Sequence, residues 1–403
     1  MKRQIIVIGG GASGLAAAIS AADSGASVQI LERLPRVGKK ILLTGNGRCN
    51  LSHTPLDFSH YHGTVPQMKR ILVNFHADAY FREMGLLTRT DGEGRQYPYS
   101  MAAASVLDAL RLTAEQKGVQ MTCDAQVTGI TPTKNGFTVH TKQGDFHADA
   151  LIFAAGGAAS PACGTDGSLY PVLEKLGHKI VKPLPALCPV PVSSPYLKQM
   201  KGLRVRACVT AERNGKALAA ESGEVQFTET ALSGICVFNL SRLAAIHGNA
   251  LTLCLNLMPE TDADTLFSLV SELISQRGSL PVSDLLTGLL PKRIGEVLVK
   301  LCGGSPAQTA RAVFSQKERI SALCRLLHRW EFPVSGVSAF SQAQVTAGGV
   351  SGQSVTANLE SKVCPGLYFC GEILDTDGDC GGYNLAWAWA SGRFVGKYCA
   401  NAE

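Results

Sequence analysis

Gln4-Ile5-Ile6-Val7-Ile8-Gly9-Gly10-Gly11-Ala12-Ser13-Gly14-Leu15-Ala16-Ala17-Ala18-Ile19 is the stretch whose reading decides the fold. A β-branched run gives way to adjacent glycines and then to an alanine-rich helical pattern, the order strand, tight turn, helix. Gly9, Gly11 and Gly14 stand at the spacing G-x-G-x-x-G. In that pattern the first glycine makes the turn, the second admits a pyrophosphate to the backbone, and the third lets the helix pack on its strand. The helix start at Ala12 and Ser13 then offers unpaired N–H groups and the positive end of the helix dipole to phosphates.

Outward from that stretch, Ala26 to Leu31 reads as a second strand, reached after a helix that ends at Ser24-Gly25. Glu32 stands at its tip. An acid about 20 residues past the glycines is placed to bind a ribose hydroxyl pair and disfavours the extra phosphate of NADP; the plainer alternative is a solvated strand-end acid. Met1-Lys2-Arg3 ahead of a mostly apolar stretch has features of a leader or membrane span, and Gly10 with Gly14 matches a helix-dimer spacing. The adjacent glycines interrupt any continuous apolar helix, and the second strand follows at the dinucleotide distance, so the βαβ reading is preferred.

The chain has 403 residues, enough for two or three domains, with 45% hydrophobic and 17% charged residues, a globular composition. Its 13 cysteines include no C-x-x-C pair. They imply reduced thiols in a cytoplasm, and no metal site is expected. A net charge of +6 permits anionic ligands without indicating nucleic acid. His53, His60, His62 and His76 fit no standard metal spacing, and residues 53–62 read as a surface loop.

Gly38-Lys39-Lys40-Ile41-Leu42-Leu43-Thr44-Gly45-Asn46-Gly47-Arg48-Cys49-Asn50 follows Arg33 as a basic, glycine-punctuated segment. It resembles the G-[RK]-K-x-L-x-[ST]-G-x-G-R-C-N signature of a bacterial flavoprotein family that includes aminoacetone oxidase and flavin-dependent bile-acid reductases. The resemblance implies FAD rather than NAD at Gly9 to Gly14. It also implies that Thr44, Gly45, Gly47, Arg48, Cys49 and Asn50 lie close to the flavin ring. Arg33 counts with Glu32 among the cofactor-binding residues, and Lys39, Lys40 and Arg48 have an electrostatic use near a diphosphate. Cys49, without a neighbouring cysteine, suits packing better than electron exchange.

Further elements carry the same resemblance. Glu93 to Pro98 is similar to the family's G-R-x-[FY]-P, which makes Arg95 and Tyr97 candidates for the substrate side. Val119–Cys123, Ala125–Ile130 and Gly136–His140 alternate as short antiparallel strands, and by resemblance Val127 presents backbone to the adenine. Leu151 to Gly157 is similar to an A-T-G-G element with Ala155 in place of threonine, so Ala155 and Gly156 keep only a backbone role. Thr230 to Ser241 is similar to a G-L-S-G element. Gly371 to Gly392 matches the family's G-E-x-x-D…G-G-Y-N-L-x-W-A-x-x-S-G ending, which gives Gly371 and Glu372 the ribitol chain. Gly382, Tyr383 and Asn384 then open the last helix, with a helix dipole suited to charge near flavin N1 and O2. Trp387 and Trp389 read as core.

The expected architecture is α/β: a Rossmann-like three-layer FAD-binding domain with inserted β-rich and helical domains. Residues 1–190 and 335–403 form the FAD-binding domain, 191–258 the β-rich insert and 259–334 the helical insert. The expected function is FAD-dependent oxidoreduction by hydride transfer on an unidentified small molecule, with NAD(P)H as a candidate transient donor, since one dinucleotide fingerprint is present. No catalytic acid or base stands out. A flavin-dependent RNA-modifying enzyme and a non-catalytic flavin-binding redox module stay open. For RNA, residues 280–331 carry eight Lys or Arg (292, 293, 300, 311, 317, 319, 325, 329) against four acids (284, 296, 318, 331). A solvated helical face accounts for that charge more simply.

Overall fold

The computed structural model describes residues 2–402. They divide into two compact units, one running to Pro185 and resuming at Phe340, the other spanning Ala186–Ala339. The first unit is built on β1 (Gln4–Ile8), α1 (Ala12–Asp23), β2 (Ser27–Leu31), β3 (Tyr61–Gly63), α2 (Ala103–Gln116), β4 (Gln120–Thr122), β5 (Ala150–Phe153), β6 (Leu367–Phe369), β7 (Thr376–Gly378) and α3 (Tyr383–Asn401). Five of these strands form a parallel sheet in the order β6-β5-β1-β2-β4. β1 lies in its middle, with Ile5 opposite Ala150 on one side and Val28 on the other. Both faces are covered, which is why Ile5 to Ile8 is an unbroken apolar run instead of an alternation.

α1 and α3 pack closely because glycines remove their side chains from the contact. A Cβ on Gly392 would lie 2.4 Å from the Ser13 carbonyl oxygen, and one on Gly396 2.3 Å from that of Ala17. The helices therefore meet backbone to backbone and bring the start of α1 beside the last third of the chain.

Two local expectations change. Residues 120–122 do not enter an antiparallel meander; they pair in parallel with β2 as the edge of the main sheet. The meander is Val127–Thr133, Gly136–Thr141 and Gly144–Ala148. Alternation marks a strand but is silent about its partner. Residues 53–62 are not simply a surface loop, since β3 pairs with β7, placing His62 opposite Asp377, and Tyr61 is buried.

The second unit is a six-stranded sheet in the order Val190–Pro191, Ala231–Ser233, Lys216–Phe227, Arg204–Arg213, Leu251–Asn256, Trp330–Pro333. Val209 and Phe227 of this sheet share one core with Leu266, Val270, Leu298 and Leu327 of the helices. The expected boundary near residue 258 is therefore no break in packing. A helix, Ile235–His247, interrupts the strand-like part, and Trp330–Pro333 returns from the helical part to pair with Leu251–Asn256. Among the described residues no helix is long and apolar enough to cross a membrane, and none of the cysteines forms a disulfide.

Candidate functional site

The glycine turn after β1 has the geometry that its spacing predicts. Gly9 takes φ +101°, and a Cβ there would stand 2.6 Å from the Ala154 carbonyl oxygen. A Cβ on Gly14 would come within 1.9 Å of the Gly9 oxygen, so the helix rests on the turn only because the side chain is missing. Gly11 differs from both: its backbone is extended (φ −80°, ψ −165°) and a Cβ would meet nothing within 4 Å. It caps α1 without a side-chain hydrogen bond, and no acid occupies the first turn. Open space thus lies against the uncapped N–H groups of Ala12, Ser13 and Gly14, a cradle that fits a diphosphate.

Glu32 stands at the end of β2 with 8% of its surface exposed. Its Oε2 accepts the Gly10 N–H at 2.8 Å and its Oε1 the Leu34 N–H at 2.9 Å. It therefore pins the glycine turn through the backbone. Burial raises its pKa, against the lowering effect of those backbone bonds. Because the folded-state value is the higher one, charged Glu32 costs stability in full above the raised value, and the cost declines as pH falls below it and is gone at the ordinary carboxyl value. Glu32→Gln is expected to flatten this limb of the stability curve. Urea midpoints between about pH 4 and 7 check it, and an unchanged slope refutes it.

The basic residues of the following segment are held by named partners. Arg33 pairs with Asp166 at 2.7 Å. Lys39 donates to the Ala162 carbonyl at 2.6 Å. Lys40 meets Glu372 at 2.9 Å, and the other Glu372 oxygen accepts the Thr346 N–H at 3.1 Å. Two residues expected at different parts of the cofactor, Lys40 and Glu372, thus form one ion pair. Gly371, with φ +74°, lies so close to α1 that a Cβ would stand 2.3 Å from Ser13 Oγ. Ala155 and Gly156 follow β5 after one residue, Ala154, and Val127 is buried at the first position of the meander.

Thr44 to Asn50 is a tight coil in which Gly45, Asn46, Gly47 and Cys49 all take φ between +54° and +79°. Arg48 sits at its exposed side, 5.5 Å from the Tyr97 ring. Cys49 is fully buried and its thiol is pushed up to about 12 by burial, which agrees with packing and leaves it inert. Asn50 Oδ1 is buried without a partner. It lies 2.8 Å from the place of a Gly382 Cβ, so the coil touches the start of α3. An orphaned acceptor beside an uncapped helix start is what a cofactor with ring N–H groups would satisfy. Gly382 itself takes φ +104°. Asn384 uses both ends of its amide on Gly378, accepting its N–H at 2.9 Å and donating to its carbonyl at 2.6 Å, and so braces the glycine loop.

The structure adds groups that were not expected. His60 Nδ1 lies 2.8 Å and His62 Nε2 3.2 Å from the carboxylate of buried Asp379. His53 and His60 both stack on Tyr383, at 5.1 and 4.7 Å between ring centroids. The available signal was Asp375-Thr376-Asp377-Gly378-Asp379, a run of acids directly before Gly381-Gly382. All three of those aspartates are buried.

A family model described as HI0933-like protein Rossmann domain matches residues 3–398. The chain is 36% identical to a 3-dehydro-bile acid delta(4,6)-reductase of Clostridium scindens, over 98% of this chain and 99% of that one. It is 28% identical to a ribosomal RNA dihydrouridine synthase of Escherichia coli, over 96% of this chain and 95% of that one. Among solved structures, a flavocytochrome c3 fumarate reductase in an open conformation aligns over 99% of this chain and 78% of that one, with TM-score 0.50 and 14% identity, a likeness of fold. The chain belongs to the HI0933-like Rossmann family and is an FAD-dependent oxidoreductase.

Proposed function

We propose that the chain reduces, by two-electron transfer through FAD, a carbon–carbon double bond conjugated to a carbonyl in a small molecule. In this reading the diphosphate lies on Gly11, Ala12, Ser13 and Gly14, with a ribose at Glu32 beside Arg33 and the adenine against the backbone at Val127. Ala155, Gly156, Gly371 and Glu372 border the ribitol, while Thr44 to Asn50 and Gly382-Tyr383 surround the ring. The observation that carries the placement is the open space at Gly11 above an uncapped helix start. The substrate class is supported by the bile-acid reductase, which matches nearly end to end.

When bound, FAD supplies hydride chemistry at N5. The chain's part is position, exclusion of water and charge. The uncapped start of α3 sets a positive helix end where negative charge develops, and its glycines leave the approach free. The Lys40–Glu372 pair joins two half-buried opposite charges, so that neither stands as an unpaired charge beside the cofactor.

The RNA reading has support of its own in the 28% relative, and a uridine ring also holds a double bond conjugated to a carbonyl. Its electrostatic support is thinner, since Lys292 pairs with Asp284, and Arg329 with Glu212 and Glu331.

Anaerobic titration with NADH and NADPH, followed at the flavin absorption band, tests the proposal. Bleaching by a nucleotide and reoxidation by a 3-oxo-4-ene bile acid is the expected result. Reoxidation by ribosomal RNA alone favours the second reading. Absence of bleaching by either nucleotide points to an oxidase whose substrate is itself the donor, and overturns the reductase.

A further inference from the structure

We infer that His60, oriented by Asp379, is a redox-linked proton carrier: it takes up one proton when the bound flavin receives an electron pair and returns it on reoxidation. The inference rests on the placement proposed above, with the flavin at the start of α3.

The geometry is that of an imidazole held by a buried acid. Asp379 has 8% of its surface exposed, and each of its oxygens takes one imidazole, Oδ2 that of His60 and Oδ1 that of His62. A carboxylate at Nδ1 fixes the ring's orientation, directs proton exchange to Nε2 and stabilises the imidazolium. Nε2 of His60 has no hydrogen-bond partner among the described residues, and the side chain is 39% exposed, which opens a route to water. The same ring lies 4.7 Å from that of Tyr383, the first residue of α3. One end of the imidazole pair thus touches solvent while its face adjoins the helix start at which negative charge would appear.

Other ionisable groups face this imidazole. Asp57 lies in the preceding turn, where its carboxylate accepts from the Ser59 N–H and hydroxyl. His62 shares Asp379, and Asp377 stands opposite His62 in the β3–β7 pair, with Cys380 following in the loop. His53 stacks on the same tyrosine but has its Nδ1 3.2 Å from the Gly381 carbonyl. Tyr61 donates its hydroxyl to the Tyr383 carbonyl. The Tyr383 hydroxyl is pushed up to about 12, chiefly by burial, so it keeps its proton at neutral pH and is no carrier. Among these groups His60 combines a buried counter-charge, an open nitrogen and the contact with Tyr383.

The balance is two electrons and two protons. The electron pair and one proton go to the flavin, which gains one negative charge; the second proton goes from water to Nε2 of His60. A negative charge nearby favours the imidazolium over the neutral ring. The reductant is a nicotinamide dinucleotide in the proposed reaction and dithionite in the test.

The test is the flavin potential of the purified holoenzyme, measured against reference dyes from about pH 5.5 to about 8.5. Each proton taken up with an electron pair changes the equilibrium constant tenfold per pH unit, or about 30 mV. The wild type is expected to show a hundredfold change, about 60 mV per pH unit, over part of the range. His60→Gln is expected to lose that steep segment near neutrality and follow the tenfold line, and His62→Gln to keep it. A steep segment retained in His60→Gln, or a wild type on the tenfold line throughout, overturns the inference. Should His60→Gln fail to hold flavin, indicator-dye counting on the wild type at neutral pH decides, with two protons per electron pair expected and one contrary. A chain that carries no flavin at all defeats the placement itself, a failure visible in the absorption spectrum before any potential is read.

Discussion

Gly11→Leu is expected to give a folded protein that has lost its flavin. The backbone at Gly11 is extended, a conformation open to any residue, and a Cβ there meets nothing within 4 Å. The fold has no reason to object. The leucine would instead fill the space against the N–H groups of Ala12 to Gly14, where the diphosphate is proposed to lie. Affinity for FAD is expected to fall on the order of 100-fold or more, about 3 kcal/mol. The ratio of flavin to protein absorbance, together with an unchanged circular dichroism spectrum, reads both halves of the prediction. Full flavin retention would move the site elsewhere. Gly14 makes the contrast, because a Cβ 1.9 Å from the Gly9 oxygen must disturb the turn itself.

Trp389→Ala is expected to lower unfolding stability by about 3–5 kcal/mol and to loosen the flavin with it. The side chain is fully buried and meets Phe81 edge-on at 5.4 Å. Its indole N–H donates to the Leu51 carbonyl at 3.1 Å. Truncation leaves a cavity and an acceptor without its donor. Leu51 directly follows Asn50, so the lost bond also frees the end of the coil that is proposed to lie on the ring. Trp389→Phe keeps most of the volume and not the donor, and should fall between wild type and alanine. Urea denaturation measures the series. A loss below about 1 kcal/mol for alanine would show that the coil is held by other contacts.

Much of the fold is legible in the chain because its signals are local. Strand, glycine turn and helix follow one another within Gln4 to Ile19; Gly9 is required by its contact with the end of the next strand and Gly14 by its contact with the turn, while Gly11 leaves open space. The partner of a strand is less legible. Residues 120–122 carry the same alternation whether they pair with β2 or enter the meander, and the choice is made by the sheet already present beside them. An internal division near residue 258 is not marked by packing for a similar reason: strands and helices between Ala186 and Ala339 look like two kinds of sequence but bury one apolar core.

The sequence by itself determined the dinucleotide turn, the acid at the tip of β2, the buried tryptophans of the last helix and, through the motifs at both ends, the flavoprotein family. Tertiary structure alone decided that Lys40 and Glu372 face each other, that Asn384 braces a loop, and that two imidazoles share Asp379. His60 and Asp379 are 319 positions apart. No periodicity or short motif spans such a distance, because the pairing depends on β3 being laid against β7 and on α3 packing against α1. Local chemistry is written in neighbouring residues, whereas a proton-carrying cluster exists only after the chain has folded back on itself.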